Sequence, residues 1–200
     1  MEEMIFTIGY SLLEPQGFLG MLKMHKITDL WDVRSTPFSQ RRFEFNRQNL
    51  SIFLQTNGIN YRFSGDALGG RPLDQSHYDG DGVVDYHSAR KSEIFQKELK
   101  QLLELSATSN VALMCAEEDP LHCHRGLMIF AELRDQRQSV QHIRKEGLLE
   151  SAKTFETRAM KEARLIKIAQ APSLFEESNR ELFEKAVKIL TKKHGYRLEE

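Results

Sequence analysis

Side chains that can transfer protons, bind a metal ion or bind an anion are concentrated in one stretch of eleven residues. A thiol can act as a nucleophile or a metal ligand, a carboxylate or an imidazole can transfer a proton, and a guanidinium can hold a phosphate. The side chains of these types are Cys115, Glu117, Glu118, Asp119, His122, Cys123, His124 and Arg125. This stretch is therefore the first candidate for a reactive site.

Cys115 is the candidate thiol nucleophile, because it follows an apolar run that predicts a buried strand. A thiol at the turn from a strand to a helix can be held as a thiolate by helix amides or by a nearby arginine. Enzymes of this kind follow the cysteine with a basic, glycine-rich loop, whereas Cys115 is followed by Glu117, Glu118 and Asp119. These carboxylates should raise the pKa of the thiol, which disfavours a thiolate at Cys115.

The two cysteines could instead bind a metal ion together with a histidine. Three consecutive residues cannot all point at one ion, so the set would be Cys115, Cys123 and one histidine, with His142 or solvent as the fourth ligand. The spacing matches no common zinc module, and a helix starting at Pro120 would turn Cys123 into the core. We therefore predict neither a metal nor another cofactor, and keep a Cys/His metal or redox protein as an alternative.

A third possibility assigns the chemistry to carboxylates. Asp32 also follows an apolar run, so Asp32 and Glu117 would project from the ends of two strands of one sheet. Paired carboxylates can cleave glycosidic bonds, with a histidine such as His124 or His142 carrying a proton. The alternative is that these carboxylates form salt bridges, Asp32 to Arg34 or Glu117 to Arg125, that only hold the loops.

Apolar runs of strand length precede these residues and alternate with segments of helical periodicity. Such alternation predicts an α/β fold, with a mostly parallel sheet of about five strands, flanking helices and a helical carboxyl-terminal tail. The predicted strands are residues 4–8, 30–33, 59–63, 111–115 and 140–143. We divide the chain into an α/β part at residues 1–150 and a helical extension at residues 151–200 that packs on the same domain.

Polar residues that can cap helices give the predicted helix starts. They are Ser11 with Glu14, Asn46, Ser88, and Ser173 with Glu176. Between residues 64 and 87 the periodic pattern is lost, and a loop of this length is a candidate lid.

Open α/β sheets bind ligands beyond the carboxyl ends of their strands, where loops from several strands meet. The candidate catalytic residues at such positions are Asp32, Cys115, Glu117 and His124. The candidate substrate-binding residues are Tyr10, Ser11, Arg34, Arg42, Gly69, Gly70, Arg125 and His142. We expect these residues to share one crevice.

The order of these motifs resembles that of the domain-of-unknown-function 488 family. The motifs are Gly9-Tyr10-Ser11, Asp32-Val33-Arg34, Leu68-Gly69-Gly70, Cys115-Ala116-Glu117, Asp119-Pro120, Cys123-His124-Arg125, and His142-Ile143 with Gly147. The resemblance implies an intracellular prokaryotic protein of unestablished activity, and some members carry a DNA-repair label. The chain lacks the histidine that the family tends to have after this glycine, so no role is carried over to that segment.

Composition limits the possible partners. The 200 residues include 28 basic and 29 acidic side chains, so contact with nucleic acid would need a local basic patch. Residues 34–47 offer one, with four arginines, one acidic residue and three phenylalanines that could stack bases. The alternative is that the phenylalanines are buried and the arginines extend into water.

The chain starts with Met1-Glu2-Glu3-Met4, which is unlike a signal peptide, and it contains no apolar run of roughly 18 residues. Its two cysteines do not form a disulfide framework. We therefore expect a cytoplasmic protein that does not bind membranes, and make no prediction of its oligomeric state.

Together, these observations predict an enzyme that acts on a phosphate-bearing or nucleic-acid-derived substrate, possible partners being a nucleotide or a nucleic acid. The carboxylates and histidines would transfer protons and the arginines would bind the anion. A non-catalytic nucleic-acid-binding protein, such as one that assists DNA repair, is the alternative.

Overall fold

A computed structural model describes residues 4–166 and 179–198 and confirms the α/β class with a mostly parallel sheet. The strands are β1 (Met4–Gly9), β2 (Asp29–Asp32), β3 (Asn60–Phe63), β4 (Val111–Cys115), β5 (Ser139–Ile143) and β6 (Leu149–Ser151). Their order across the sheet is β3-β2-β4-β1-β5-β6, and β6 runs antiparallel to β5 while the other neighbours are parallel.

The expected count of about five strands is corrected to six by β6. This strand has only three residues and pairs with β5 alone, so it is too short to show a periodic pattern in the sequence. It ends at Ser151, the first residue of the predicted helical extension, and a helix begins directly after it.

Helices cover both faces of the sheet. They are α1 (Pro15–Met24), α2 (Arg47–Thr56), α3 (Gly65–Leu68), α4 (Tyr86–Ala89), α5 (Glu93–Ser106), α6 (Ala131–Asp135), α7 (Ala152–Glu162) and α8 (Asn179–His194). A π-helical segment, Arg125–Phe130, leads directly into α6. Helices α7 and α8 contribute Phe155 and Phe183 to the core that contains Val111 and Leu113 of β4.

Strand β4 lies at the centre of the sheet and is buried along its whole length. Its residues alternate between two cores, because successive side chains of a strand point to opposite faces. Val111 and Leu113 pack on the face covered by α5, α7 and α8, and Ala112 and Met114 pack on the face covered by α1 and α2. Cys115 continues the first of these faces at the carboxyl end of the strand.

Several helix starts differ from the predicted ones. Helix α1 begins after Glu14 rather than Ser11, and α5 begins after Ser92, whose Oγ accepts the Phe95 amide, rather than at Ser88. Asn46 precedes α2 as predicted, but its side chain accepts the Ser39 amide instead of capping the helix. The predicted capping box of Ser173 and Glu176 lies outside the described residues.

The candidate lid at residues 64–87 contains regular structure that the sequence pattern did not reveal. It includes α3, a 3₁₀ turn at Gln75–His77 and the start of α4. A bridge joins Tyr78 to Val84, and another joins Val83 to Arg197 near the carboxyl terminus. Movement of this segment as a lid remains a prediction.

Within residues 4–166 and 179–198, no helix is both long and apolar enough to cross a membrane.

Gly9 allows the loop after β4 to approach the end of β1. A Cβ atom added at Gly9 would lie 1.8 Å from the carbonyl oxygen of Glu117, which belongs to the backbone and cannot swing away. The absence of a side chain at Gly9 therefore brings the strand ends of β1 and β4 together.

We expect Gly9→Ala to lower the free energy of unfolding by about 1–3 kcal/mol, because the added methyl group overpacks this contact. Gly17→Ala is the matched control, since Gly17 lies in α1 with nothing within 4 Å of the added atom. The control should raise stability by about 0.5–1 kcal/mol. Denaturant unfolding of both variants tests this, and equal stabilities would contradict it.

Candidate functional site

A cleft of about 400 Å³ opens at the carboxyl end of β4. This is within the roughly 300–1,000 Å³ typical of small-molecule sites. The residues that line it are Tyr10, Arg34, Ser35, Thr36, Phe38, Gly70, Arg71, Tyr86, Cys115, Ala116, Glu117, His122, Cys123, His124, His194 and Tyr196. The cleft therefore combines residues from six separate segments of the chain.

Two cysteines and a histidine form the floor of this cleft. Nδ1 of His124 lies 3.8 Å from Sγ of Cys115 and 3.8 Å from Sγ of Cys123. These three atoms are all within 4.8 Å of one another, and all three residues are buried. We call this set the Cys/His cluster.

The cluster forms because Cys123 stands at the start of a helix rather than inside it. Asp119 caps a short 3₁₀ turn, Pro120–His122, and the helix proper starts only after Cys123, whose backbone is extended. The Arg125 amide then points at Sγ of Cys123, 3.5 Å away. Cys123 is buried in the core, as predicted, but its Sγ also reaches the cleft, because the helix is not continuous from Pro120.

His124 is fixed in orientation by the backbone of β2 and by a glycine. Its Nε2 lies 2.8 Å from the Val33 carbonyl, so this nitrogen donates a proton and Nδ1 faces the two sulfurs. A Cβ at Gly70 would come within 2.8 Å of the imidazole ring. Gly70 thus allows the imidazole ring to pack closely against the backbone.

The three side chains of the cluster shift one another's pKa values. A hydrogen bond with Cys123, burial and the nearby Glu117 carboxylate raise the pKa of Cys115, in the direction predicted from its acidic neighbours. Burial would also raise the pKa of Cys123, but the hydrogen bond from Cys115 and the charges of His124 and Arg125 lower it well below its ordinary value. The pKa of His124 is raised by Cys123 and Glu117 in spite of burial. The two thiols are therefore shifted in opposite directions, and Cys123 is the one that ionises more readily.

Glu117 lies at the side of this cluster. The residue is exposed to the cleft, and its Oε2 accepts a hydrogen bond from Sγ of Cys115 at 3.1 Å. Desolvation of the carboxyl group and the charge of Cys123 raise the pKa of Glu117. It is a carboxyl group that can both donate and accept a proton next to the floor of the cleft.

Arg125 lies behind the floor and shapes the loop that carries Glu117. The side chain is fully buried, and its guanidinium donates to the backbone carbonyls of Glu117 and Glu118 and to Oγ1 of Thr7. The predicted salt bridge to Glu117 is replaced by a bond to its backbone, so its carboxylate is left to face the cleft.

The rest of this loop is held by a network of charged side chains. Glu118 binds Arg144 through two hydrogen bonds of 3.0 Å, and Asp119 binds Arg158 through two of 2.7 and 2.6 Å. Glu150 of β6 contacts both arginines. The acidic run after Cys115 is thus largely directed away from the thiol, except for Glu117.

Only half of the predicted site residues line the cleft. Those that do are Tyr10, Arg34, Gly70, Cys115, Glu117 and His124. Those outside its lining are Ser11, Asp32, Arg42, Gly69, Arg125 and His142. The single crevice expected for all of them is therefore corrected to a smaller site.

Asp32 is fully buried in a salt bridge with Arg34, which is the alternative considered from the sequence. Its Oδ2 lies 2.6 Å from Arg34 and 2.7 Å from the hydroxyl of Tyr61, and its Oδ1 accepts two further bonds from Arg34. Arg34 also donates to the Tyr10 hydroxyl. A carboxylate committed in this way is not paired with Glu117 for proton transfer.

His142 is part of the core rather than of the cleft. Its Nδ1 is 2.8 Å from Oγ1 of Thr7, and its ring packs between Phe130 and Phe155. Burial and the charge of Arg125 lower its pKa well below the usual value, so it is a neutral side chain. It is neither the proton carrier nor the fourth metal ligand considered from the sequence.

Three other predicted binding residues are used for structure. Ser11 accepts a bond from Arg42 through its backbone carbonyl, and Arg42 also binds Glu44 at 2.6 Å. A Cβ at Gly69 would lie 2.2 Å from the carbonyl oxygen of Gly65, so Gly69 permits a tight turn.

Several cleft residues were not predicted. Arg71 follows the Gly69-Gly70 motif directly and could have been found by extending it. His194 and Tyr196 come from the end of α8 and the residues after it. No local pattern marks them, since they reach the cleft only when the tail packs on the domain.

A second group of possible ligands lies at the rim. His122, Glu162 and His194 approach one another, but Oε1 of Glu162 already binds the Lys193 ammonium and His194, each at 3.0 Å. Although partial burial opposes it, these bonds lower the pKa of Glu162 to about 2. The lysine supplies the cation, so this group is an ion-pair cluster.

Comparison with known proteins identifies the family. Residues 14–133, more than half of the chain, match the sequence profile of the family described as "Domain of unknown function DUF488". The chain belongs to this family, as the order of its motifs suggested. A search of curated proteins and a search of solved structures each found no match.

The acidic loop should make stability depend on pH. Burial opposes ionisation of Asp119, but its bonds to the Leu121 amide, Arg144 and Arg158 lower its pKa. Such a carboxylate stabilises the fold above its unfolded pKa of about 3.9, and this stabilisation is lost as the pH falls through the lower folded value.

We expect Asp119→Asn to lose about 1–2 kcal/mol of unfolding free energy at pH 7, between the values for exposed ion pairs and buried charged hydrogen bonds. The difference from the unaltered protein should shrink as the pH falls below about 3.9. Denaturant titrations at several pH values measure it. Glu104→Gln, a change at an exposed side chain of α5, is the control and should have little effect on stability. If Asp119→Asn lowers the unfolding free energy by the same amount at every pH, the ionic explanation is refuted.

Proposed function

We propose that the protein is an enzyme that binds a phosphate-bearing or nucleic-acid-derived substrate in the cleft at the end of β4. The observation that carries the proposal is the position of Glu117, a carboxyl group in contact with the Cys/His cluster at the base of a cleft with a cationic and aromatic wall. Acid–base chemistry needs such a group within reach of the substrate.

Arg71 is the cation suited to hold the anionic part of the substrate. Its guanidinium lies 4.5 Å above the ring of Tyr196, and its side chain is exposed at the cleft. Stacking on an aromatic ring leaves the edge of a guanidinium free to bind a phosphate through two hydrogen bonds. Arg34 is less suited, because Asp32 and Tyr10 already bind it.

Aromatic side chains support a base or nucleoside as the other part of the substrate. Phe38 lines the cleft and is 65% exposed. Tyr196 also lines it and is partly exposed, whereas Tyr10 and Tyr86 line it with buried rings. Exposed aromatic rings stack on nucleobases regardless of their sequence.

Replacing Glu117 by Gln should lower kcat roughly 10²–10⁴-fold, because the amide cannot transfer a proton. The measurement is a screen of nucleotides, nucleosides and DNA containing damaged bases, followed by kinetics on any substrate found. Glu104→Gln is the control, since it makes the same change at an exposed residue of α5. Equal turnover in Glu117→Gln and the unaltered protein would contradict the proposal.

Arg71→Gln should raise KM about tenfold or more with a smaller effect on kcat, because a charged hydrogen bond to the phosphate is lost. Arg62→Gln is matched to it, since Arg62 stacks in a similar way, 4.2 Å from the Trp31 ring, but outside the cleft lining. The same KM in both variants would remove Arg71 from the binding site.

A second candidate function is binding of nucleic acid without catalysis. Two phenylalanines of the 34–47 segment, Phe38 and Phe43, are 65% and 66% exposed, and Arg41 between them is exposed as well. The patch is smaller than the sequence suggested, because Arg34 and Phe45 are buried and Arg42 is bound to Glu44.

If this patch binds DNA, Arg41→Glu should weaken binding and reduce the slope of log affinity against log salt by about 1. Lys100→Glu makes the same change of charge on exposed α5 and should leave binding unchanged. Fluorescence anisotropy with labelled single-stranded DNA measures both. Equal affinity in the two variants would exclude the patch.

A further inference from the structure

We infer that the Cys/His cluster is a binding site for one divalent zinc-type metal ion, held by Cys115, Cys123 and His124 with a fourth position open to the cleft. This site deepens the proposed function, and rests on it for what the metal does, since it lies in the same cleft as Glu117. Metal binding itself can be measured without a substrate.

The spacing of the three donor atoms fits this ion. Zinc binds sulfur at about 2.3 Å and nitrogen at about 2.0–2.1 Å in a tetrahedron, which separates the sulfur and nitrogen atoms by about 3.6 Å. The two distances from Nδ1 of His124 to the sulfurs are 3.8 Å each. Only a small adjustment of the side chains is needed to coordinate an ion between them.

The groups around the donors also match a metal site. A histidine that binds a metal through one nitrogen usually donates the other to a carbonyl or carboxylate, which sets its tautomer. Nε2 of His124 has such a partner in the Val33 carbonyl at 2.8 Å, so its Nδ1 lone pair points at the sulfurs. The Arg125 amide near Sγ of Cys123 is placed to stabilise a coordinated thiolate.

The set of ligands points to a reactive rather than a purely structural ion. Structural zinc sites have four protein ligands, whereas catalytic sites have three and keep a position for water or substrate. Here three residues lie together on the floor and the fourth direction faces the cleft. Glu117, 3.1 Å from Cys115, would lie beside a water bound at that position.

Binding needs no oxidant or other reactant. The ion coordinates two thiolates and a neutral imidazole, and protons that these groups carry beforehand pass to solvent. The bound ion and the released protons account for the whole reaction.

The test uses the reduced full-length protein titrated with zinc and, separately, with cobalt. We expect one equivalent of zinc to bind, and cobalt to give the charge-transfer and ligand-field bands of a tetrahedral thiolate site. The two thiols should become protected from alkylation on binding. Absence of these bands, or binding no tighter than to a thiol-free control peptide, would overturn the inference.

Variants assign the ligands. Cys115→Ser, Cys123→Ser and His124→Ala should each weaken zinc binding by more than about tenfold, at least as much as the loss of an outer-shell partner. His122→Ala is the matched control for the neighbouring histidine, which is 48% exposed, and should keep full binding. Circular dichroism separates a lost ligand from a lost fold, and the cobalt spectrum of the unaltered protein decides the matter if a variant does not fold.

Two results would favour other chemistry and contradict the site. The first is rapid alkylation of Cys123 that zinc does not slow, which would indicate a free nucleophilic thiolate. The second is a disulfide between Cys115 and Cys123 that persists under mild reduction.

The metal site and the enzymatic function can fail separately. Tight zinc binding with no turnover would remove only the proposed enzyme, and turnover by a protein that binds no zinc would remove only the metal site. Glu117→Gln should keep one equivalent of zinc while losing turnover.

Discussion

The buried guanidinium of Arg125 is the interaction on which the site depends. It joins the loop after β4 to β1, because its donors bind the backbone of Glu117 and Glu118 on one side and Thr7 on the other. These partners are uncharged, so the positive charge remains available to stabilise the Cys123 thiolate. One side chain thereby fixes the loop, leaves the Glu117 carboxylate facing the cleft and adds to the lowering of the Cys123 pKa.

Close packing of backbone makes this arrangement possible. Gly9 lets the loop touch β1, and Gly126 lets the start of the π-helical segment touch Pro120, where a Cβ would lie 2.0 Å from the carbonyl oxygen. The salt bridges of Asp119 and Glu118 then hold the outer part of the loop. The short turn at Pro120 delays the helix until after Cys123, which is why both cysteines reach the same point.

The sequence predicted the fold class, because it depends on local patterns of apolar and polar residues. Apolar runs mark four of the central strands, and the polar residues that follow Val111–Cys115 were expected at the carboxyl edge, where they lie. It failed where a side chain's partner is distant in sequence. Asp32 was read as catalytic, but Tyr61 and Arg34 occupy its oxygens, and His142 was assigned to the crevice, but Phe155 of α7 covers it. The direction predicted for the Cys123 side chain depended on where the following helix starts, and capping signals alone can misplace a helix start by one or two residues.

The walls and the floor of the cleft come from separate parts of the chain. The floor lies within residues 14–133, the segment shared with the family. His194 and Tyr196 come from the tail. Backbone hydrogen bonds from the Val84 amide to the Tyr196 carbonyl and from the Leu198 amide to the Gly82 carbonyl join the tail to the hairpin at residues 78–84. A relative that keeps only the shared segment would therefore retain the two cysteines and the histidine of the floor and lose part of the cleft wall. If the cleft binds a substrate as we propose, the choice of substrate can diverge with the tail while the floor is inherited.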